Sequence, residues 1–300
     1  MENAKHPLPI SKKELDDLGI WQPDFIIVSG DAYIDHPSFG TALIGRLLER
    51  AGFSVAVIPQ PDWHSTKDFE RFGMPRLAFL VNSGNIDSMV ANYTVAKRRR
   101  EYDYYSPDGK VGKRPDRAVI VYCNKIREAY GDVPIVIGGI EASLRRFAHY
   151  DYWENRIRKS ILIDSGADLL SYGMGERSIL RIAELLERGI PIHKIRDVRG
   201  TAFIAERDYK PKGAMIRLPD YKTVLGDKLK YASSFKTQYQ NCDAIGGKVS
   251  PLDPLAGNVL KNLNSLVGVN TEGGVNLFCF FVSGHIFYLL LFVFISFMNH

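Results

Sequence analysis

The sequence predicts an α/β protein built on an open, mostly parallel sheet of five strands with helices on both faces. Two observations lead to this prediction. Short apolar runs typical of buried strands alternate with longer stretches whose apolar residues recur at the spacing of a helix. Each apolar run is also followed directly by a glycine, a proline or an asparagine, residues that end strands and open loops. Strands that alternate with helices form parallel sheets with right-handed crossovers.

The five predicted strands are short and rich in Val, Ile, Leu and Phe. Such runs suit strands that are covered on both faces, because neither face then needs polar side chains. The fourth run breaks at Gly138 and Gly139, which allow the chain to turn sharply. In chain order the predicted strands are Phe25–Ser29, Ser54–Ile58, Leu77–Val81, Ile135–Ile137 and Leu169–Tyr172.

Four stretches have the apolar periodicity of helices. Leu43, Leu47 and Leu48 share one face of the first stretch, which closes on Gly52, a residue type common just past helix ends. The segment 101–113 has no such period and is predicted to be a surface loop. The predicted helices are Gly40–Ala51, Asp87–Arg100, Asp116–Tyr130 and Ser178–Arg188.

Composition limits the classes of protein. The chain has 300 residues and 45% hydrophobic content, enough for a sizeable core, which excludes a disordered protein. Its net charge of +5 is too small to single out nucleic acid as a ligand. The three cysteines, Cys123, Cys242 and Cys279, match no zinc or iron-sulfur spacing, and the polar segment Met1–Asp17 is not a signal peptide. We therefore expect a cytoplasmic protein.

Polar side chains follow the predicted strands at the points where the strands end. The carboxyl ends of parallel strands share one edge of an open sheet, and ligands bind at that edge. Helix capping is the structural alternative for some of these residues: Asp35 or Ser38 can cap the first helix, and Asp87 the second. The sequence predicts a crevice or docking surface formed by Asp31, Asp35, His36, Asp62, His64, Glu141, Arg145, Arg146 and Glu176.

Several kinds of catalytic site lack their motifs. The loop after the first strand has neither the dinucleotide-binding nor the phosphate-binding glycine pattern, and no nucleophile elbow is present. His36 and His64, with nearby carboxylates, have the right ligand types for a metal but lack a close-spaced signature. We therefore expect no metal site, and a metal-dependent hydrolase built on the two histidines stays a minor alternative.

Two segments combine aromatic and charged residues. The run Lys97–Arg100 precedes the tyrosine-rich run Glu101–Tyr105, a combination that single-stranded nucleic acid can use through phosphate contact and base stacking. The alternative, which we favour at this point, is that the cations complement the dipole in the last turn of a helix. The segment Phe147–Lys159 can stack on a flat ligand or, as rings more often do, cover the sheet.

Five sequence blocks together resemble the amino-terminal region of the YgiQ-type radical SAM proteins. The resemblance extends from about Leu8 to Ile245, and the blocks occur in the family's order. They are Ser29–Gly40, Gln60–His64, Gly112–Arg117, Gly138–Arg146 and His149–Trp153.

The resemblance implies a flavodoxin-like, cobalamin-binding-like domain that precedes a catalytic radical SAM barrel. It also implies a 4Fe-4S cluster and S-adenosylmethionine, which the family holds through a C-x-x-x-C-x-x-C motif in the barrel. This chain lacks that motif, so we expect neither cofactor on it and no radical chemistry by the chain alone. Cobalamin ligation is not expected either, because Asp35 and His36 are adjacent and do not form the D-x-H-x-x-G pattern.

The resemblance also divides the chain. Residues 1–205 are predicted to form the α/β domain, residues 206–245 a linker or the start of the barrel, and residues 246–300 a tail without family resemblance. The apolar stretch Leu277–Met298 is long enough to span a bilayer. We favour a truncated chain with a non-native tail, because nothing else in the sequence is typical of a membrane protein.

Three functions remain open from the sequence. The first is an accessory domain whose partner is the radical SAM barrel, of unknown substrate; alanine at Glu141 and Arg145 should then impair the complete enzyme without disturbing folding. The second is a separate module that binds an anionic ligand or RNA through Arg145, Arg146 and Lys97–Arg100. The third is the metal-dependent hydrolase.

Overall fold

The computed structural model describes residues 6–205, 209, 215–242, 266–270 and 276–280. The strands within these residues are β1 (Phe25–Ser29), β2 (Val55–Pro59), β3 (Ala78–Asn82), β4 (Ile135–Ile137), β5 (His149–Asp151), β6 (Arg156–Arg158), β7 (Leu169–Ser171), β8 (Thr201–Ala205), β9 (Met215–Arg217), β10 (Leu266–Asn270) and β11 (Asn276–Phe280). The helices are α1 (Lys12–Asp17), α2 (Gly40–Arg50), α3 (Ser88–Asn92), α4 (Ala118–Tyr130), α5 (Gly139–Leu144), α6 (Ile161–Ser165), α7 (Glu176–Glu187), α8 (Tyr221–Gly226) and α9 (Lys228–Cys242).

Five parallel strands in the order β2-β1-β3-β4-β7 form the part of the sheet that the sequence predicts. Counted as strands one to five, this is the 2-1-3-4-5 order of flavodoxin-like folds. Helices cover both faces of the sheet. Ile26 and Val28 of β1 face the core that includes α4 and α6, whereas Phe25 and Ile27 face the core that includes α2 and α7. The predicted open α/β fold is confirmed.

The sheet continues beyond the fifth parallel strand. β8 pairs antiparallel with β7, and the order then runs β8-β11-β10-β9. The sequence does not predict β8, because Thr201–Ala205 contains two alanines and only two adjacent large apolar residues. Thr201, Phe203 and Ile204 favour a strand locally, and pairing with β7 and β11 places the segment in the sheet.

The helix predicted over Asp87–Arg100 is correct only for its first turn, because α3 ends at Asn92. Asp116 explains the early end: it accepts hydrogen bonds from Asn92 Nδ2 at 2.8 Å and from the Tyr93 hydroxyl at 2.7 Å. Tyr93 then adopts an extended conformation and forms a β-bridge with Arg99. The four consecutive cations therefore lie in a loop and not in a helix.

The aromatic segment Phe147–Lys159 lies partly in the core and partly in a separate hairpin. Phe147 joins the core beneath the sheet. β5 and β6 form a separate two-stranded hairpin, and Tyr152 and Trp153 near its turn contact the loop after α3. Of the apolar stretch Leu277–Met298, the first four residues belong to β11 and the rest lie outside the described residues. Within the described part of the chain, no helix is both long and apolar enough to cross a bilayer.

Candidate functional site

The loops after β1, β3 and β4 interlock at the carboxyl edge of the sheet. Gly30 N–H donates to the Asn82 carbonyl at 3.2 Å, and Gly138 N–H donates to the Val81 carbonyl at 2.9 Å. Gly84 has a φ of +96°, and a Cβ added to it would lie 1.9 Å from an oxygen of Asp31. Only glycine leaves room for this carboxylate, so the loop after β3 packs directly against Asp31 in the loop after β1.

A buried arginine that is not among the residues predicted from the sequence lies beneath these loops. Arg114 is almost fully buried; its Nη1 donates to the Ser83 carbonyl at 3.0 Å, and its Nη2 lies 2.9 Å from Asp31 Oδ1. The same nitrogen lies 3.4 Å from Asp103 Oδ2. One guanidinium thus forms ion pairs with two buried carboxylates from two different loops. The block Gly112–Arg117 was noticed for its resemblance, but arginine in a polar loop gives no local signal of burial.

The burial of the Asp31 carboxylate disfavours its charged form. Burial raises its pKa to about 6, while the charge of Arg114 and a 2.6 Å hydrogen bond from Asn85 N–H act in the opposite direction. Its Oδ1 contacts Arg114 as an ion pair, but no N–H of the described residues is aligned with that oxygen. The net effect is that burial outweighs the two stabilising contacts.

The raised pKa of Asp31 predicts a specific pH dependence of stability. Between pH 4 and pH 6 the folded chain holds a proton on Asp31 that the unfolded chain has released. The contribution of Asp31 to stability is therefore greatest below pH 4 and is lost as pH rises through 6. The loss amounts to about 3 kcal/mol for a shift of this size. We expect Asp31→Asn to abolish this fall in urea unfolding experiments at pH 4 to 7.

Asp35→Asn provides a control of opposite sign. Arg46 lowers the pKa of Asp35, so that residue contributes stability above pH 4 that disappears on further acidification. An Asp31→Asn variant that keeps the wild-type decline between pH 4 and pH 6 would show that another group causes it.

Glu141 lies entirely inside the protein and connects two helices. Its Oε2 accepts from Ser88 N–H at 2.9 Å, at the first residue of α3. Its Oε1 accepts from Val119 N–H at 3.1 Å, in the first turn of α4. Burial raises the pKa of Glu141, whereas these hydrogen bonds act to lower it. The carboxylate therefore satisfies two amide groups that helix starts leave without partners.

The two arginines that were predicted to contact a ligand are also buried. Arg145 forms an ion pair with Asp87, whose carboxylate caps α3 as predicted, and burial lowers the pKa of Arg145 to about 10. Arg146 donates to the Ser143 carbonyl at 2.6 Å, and its guanidinium lies 5.0 Å from the ring centres of both Phe147 and Tyr172. Both guanidinium groups are used inside the fold.

The remaining candidates are nearer the surface. Asp35 pairs with Arg46, while α2 has Phe39 at its N-cap and no side-chain cap, so the capping alternative for Asp35 or Ser38 is wrong. His36 Nδ1 accepts from Ser38 N–H at 3.2 Å. The last sequence candidates are Asp62 and His64, which form an exposed pair at 2.7 Å, and Glu176, which opens α7.

The described residues do not provide ligands for a metal or a cluster. No group of three His, Cys, Asp or Glu side chains in the described part of the chain is arranged to hold a metal ion. Cys123 is fully buried within α4, and burial raises the pKa of its thiol, which disfavours the thiolate that binds iron. With its cysteines 119 and 37 residues apart, the chain does not fit a 4Fe-4S cluster.

Comparison with known proteins identifies similar chains. Residues 7–255 match the protein family described as Radical SAM N-terminal. A UPF0313 protein of Clostridium botulinum (strain 657 / Type Ba4) is 59% identical over 241 residues, which are 80% of this chain and 38% of that protein. A UPF0313 protein of Clostridium perfringens (strain 13 / Type A) is 58% identical over 241 residues, 80% of this chain and 36% of that protein. The chain thus spans little more than a third of the length of these relatives.

Proposed function

This chain belongs to the radical SAM N-terminal family, and from this premise we propose that it acts as an accessory domain beside a radical SAM barrel in a longer protein. The observation that carries the proposal is the coverage: the chain matches relatives of which most of the length lies outside the match. The barrel would hold a 4Fe-4S cluster and S-adenosylmethionine, for which the described residues of this chain offer no ligands. The substrate class stays open.

The proposal assigns different roles to buried and accessible candidates. Asp31, Glu141, Arg145 and Arg146 hold the carboxyl-edge loops in place from inside. His36 and the Asp62–His64 pair are exposed and are available to a partner. We assign the contact with the barrel or its substrate to these exposed residues, together with Asp35 and Glu176.

A chimeric enzyme tests the proposal. The matched 241-residue region of the Clostridium botulinum relative is replaced by the corresponding region of this chain, and the cluster is reconstituted with iron and sulfide. We expect the chimera to retain reductive cleavage of S-adenosylmethionine. The double variant His36→Ala/His64→Ala should lower the cleavage rate at least about fivefold, because the exposed imidazoles contact the barrel or its substrate.

The control is Arg50→Gln, which changes an exposed cation at the carboxyl end of α2, on the opposite edge of the sheet. Arg50→Gln should keep the chimera's cleavage rate and iron content. An activity that survives complete removal of the matched region, or a double variant as active as the chimera, would refute the accessory role.

The two other functions suggested by the sequence have less support. Arg145 and Arg146 are buried and bonded inside the fold, so they do not form an open anion site. His36 and His64 each use a ring nitrogen with near neighbours in sequence, and neither joins a group of metal-binding side chains among the described residues. Of the cations named for the binding module, Lys97–Arg100 are the ones that lie at the surface.

A further inference from the structure

We propose that the surface formed by residues 93–105 and the β5–β6 hairpin binds single-stranded nucleic acid. We call this surface the basic-aromatic face. It contains the consecutive cations Lys97, Arg98, Arg99 and Arg100 and the rings of Tyr93, Tyr152 and Trp153 that pack beside them. The rings of Tyr102 and Tyr104 follow the cations closely in sequence. The proposal is independent of the accessory role.

The structure removes the helix-dipole explanation for the four cations. Cations collect in the last turn of a helix because they complement its dipole. Here α3 ends at Asn92, and Tyr93 is already extended, so Lys97 lies well beyond the range of that dipole. The charge cluster therefore has no helix to stabilise.

The loop that carries the cations is fixed against the hairpin. The Tyr152 hydroxyl donates to the Val95 carbonyl at 2.8 Å, and Lys97 Nζ donates to the Trp153 carbonyl at 3.3 Å. Thr94 N–H donates to the Arg98 carbonyl at 2.8 Å, which closes the loop on itself. The cations are thus presented from a defined backbone, which lowers the entropy that binding must overcome.

The guanidinium groups on this loop retain hydrogen-bonding capacity. The exposed Arg98 forms no side-chain hydrogen bond or ion pair with the part of the chain that the structure describes. Arg100 donates through Nε to the Val90 carbonyl at 3.0 Å, and Arg99 lies 3.9 Å from Asp116 Oδ2. Most of their N–H donors remain available, and guanidinium groups bind phosphate strongly through paired hydrogen bonds.

Two exposed rings, those of Tyr102 and Tyr104, indicate that the ligand carries flat groups as well as negative charge. The rings of Tyr93 and Tyr152 are instead covered by Arg99 and Lys97, whose charged groups lie 5.1 Å and 4.7 Å from the ring centres. Tyr104 is 85% exposed, and its ring meets that of Tyr102 edge-on at 4.8 Å. A Cβ on Gly109 would lie 1.9 Å from the Tyr102 ring, so glycine is needed for that ring to occupy its position. An acidic polypeptide needs only the cations, whereas unstacked bases use the rings too. The combination therefore favours single-stranded nucleic acid.

Fluorescence anisotropy with a labelled RNA of about 15 nucleotides, a length suited to such sites, tests the proposal on the full chain. We expect the single strand to bind more tightly than the same sequence as a duplex, whose bases are already stacked. Arg98→Gln/Arg100→Gln should weaken binding at least about fivefold and reduce the salt dependence of log K by about 1.4, the value for two lost phosphate contacts on a single strand. Tyr104→Ala should weaken it about fivefold or more through lost stacking.

The charge-matched control is Arg50→Gln/Arg188→Gln, which removes two cations at the carboxyl ends of α2 and α7. Circular dichroism verifies that each variant folds; Arg98 and Tyr104 are exposed, so folding should be unaffected. Absence of RNA binding, equal weakening by the control, or equal binding of polyglutamate that Tyr104→Ala leaves unchanged would each overturn the proposal.

Discussion

Arg114→Met is expected to lower the free energy of unfolding at pH 7 by about 3–5 kcal/mol, the usual cost of removing one partner from a buried ion pair. Methionine fills similar space, but it leaves the carboxylates of Asp31 and Asp103 buried without a cation. It also leaves the Ser83 carbonyl without its 3.0 Å donor. Urea unfolding followed by circular dichroism measures the loss.

Measurements at lower pH distinguish the loss of the buried cation from a packing defect. At pH 5 the difference between Arg114→Met and the wild type should narrow, because protonated Asp31 is no longer a buried charge. The control Arg98→Met removes an exposed cation and should change stability by less than about 0.5 kcal/mol. A loss below about 1 kcal/mol for Arg114→Met would mean that water or a rearrangement compensates the two carboxylates.

Glu141→Ala is expected to cost about 3–5 kcal/mol, because it leaves two buried amides without acceptors. Each orphaned N–H, at Ser88 and at Val119, costs about 1–3 kcal/mol. Glu141→Gln keeps one acceptor oxygen and should recover about half of the loss. Thermal and urea unfolding of both variants measure the effect.

Glu176→Ala is the matched control, since Glu176 is an acid in the first turn of a helix and is only partly buried. It should cost less than about 1 kcal/mol. Equal effects at the two positions would contradict the role of Glu141 as a shared cap. The burial of Glu141 and Arg145 also reverses the expectation from the sequence that alanine at both positions would leave folding intact.

The sequence predicted the parts of the fold that depend on local patterns. The starts of the five parallel strands are correct to within one residue, because each is a compact apolar run with a breaker after it. The segment Thr201–Ala205 and the early end of α3 were missed for one reason. Both depend on partners distant in the chain, β7 in one case and Asp116 in the other.

The candidate site was predicted less well than the fold. Sequence placed polar residues in the loops after the strands, but nothing local distinguishes Asp31, which is buried, from Asp35, which is not. Arg114 was missed because its burial depends on Asp31 and Asp103, in loops that only the folded sheet brings together. Pairing of charges in the interior is a property of tertiary structure.

The hydrogen bonds from Glu141 to the first turns of α3 and α4 affect how the protein folds during its synthesis on the ribosome. With five residues, α3 is too short to persist alone, because helix nucleation is costly. The N–H of Ser88, the first residue of α3, donates to Glu141, which lies 53 residues further along the chain. The ribosome needs about 3 to 10 s to synthesise those 53 residues at ordinary rates. The segment from α3 to the start of α4 therefore reaches its native structure only after β4 has been synthesised.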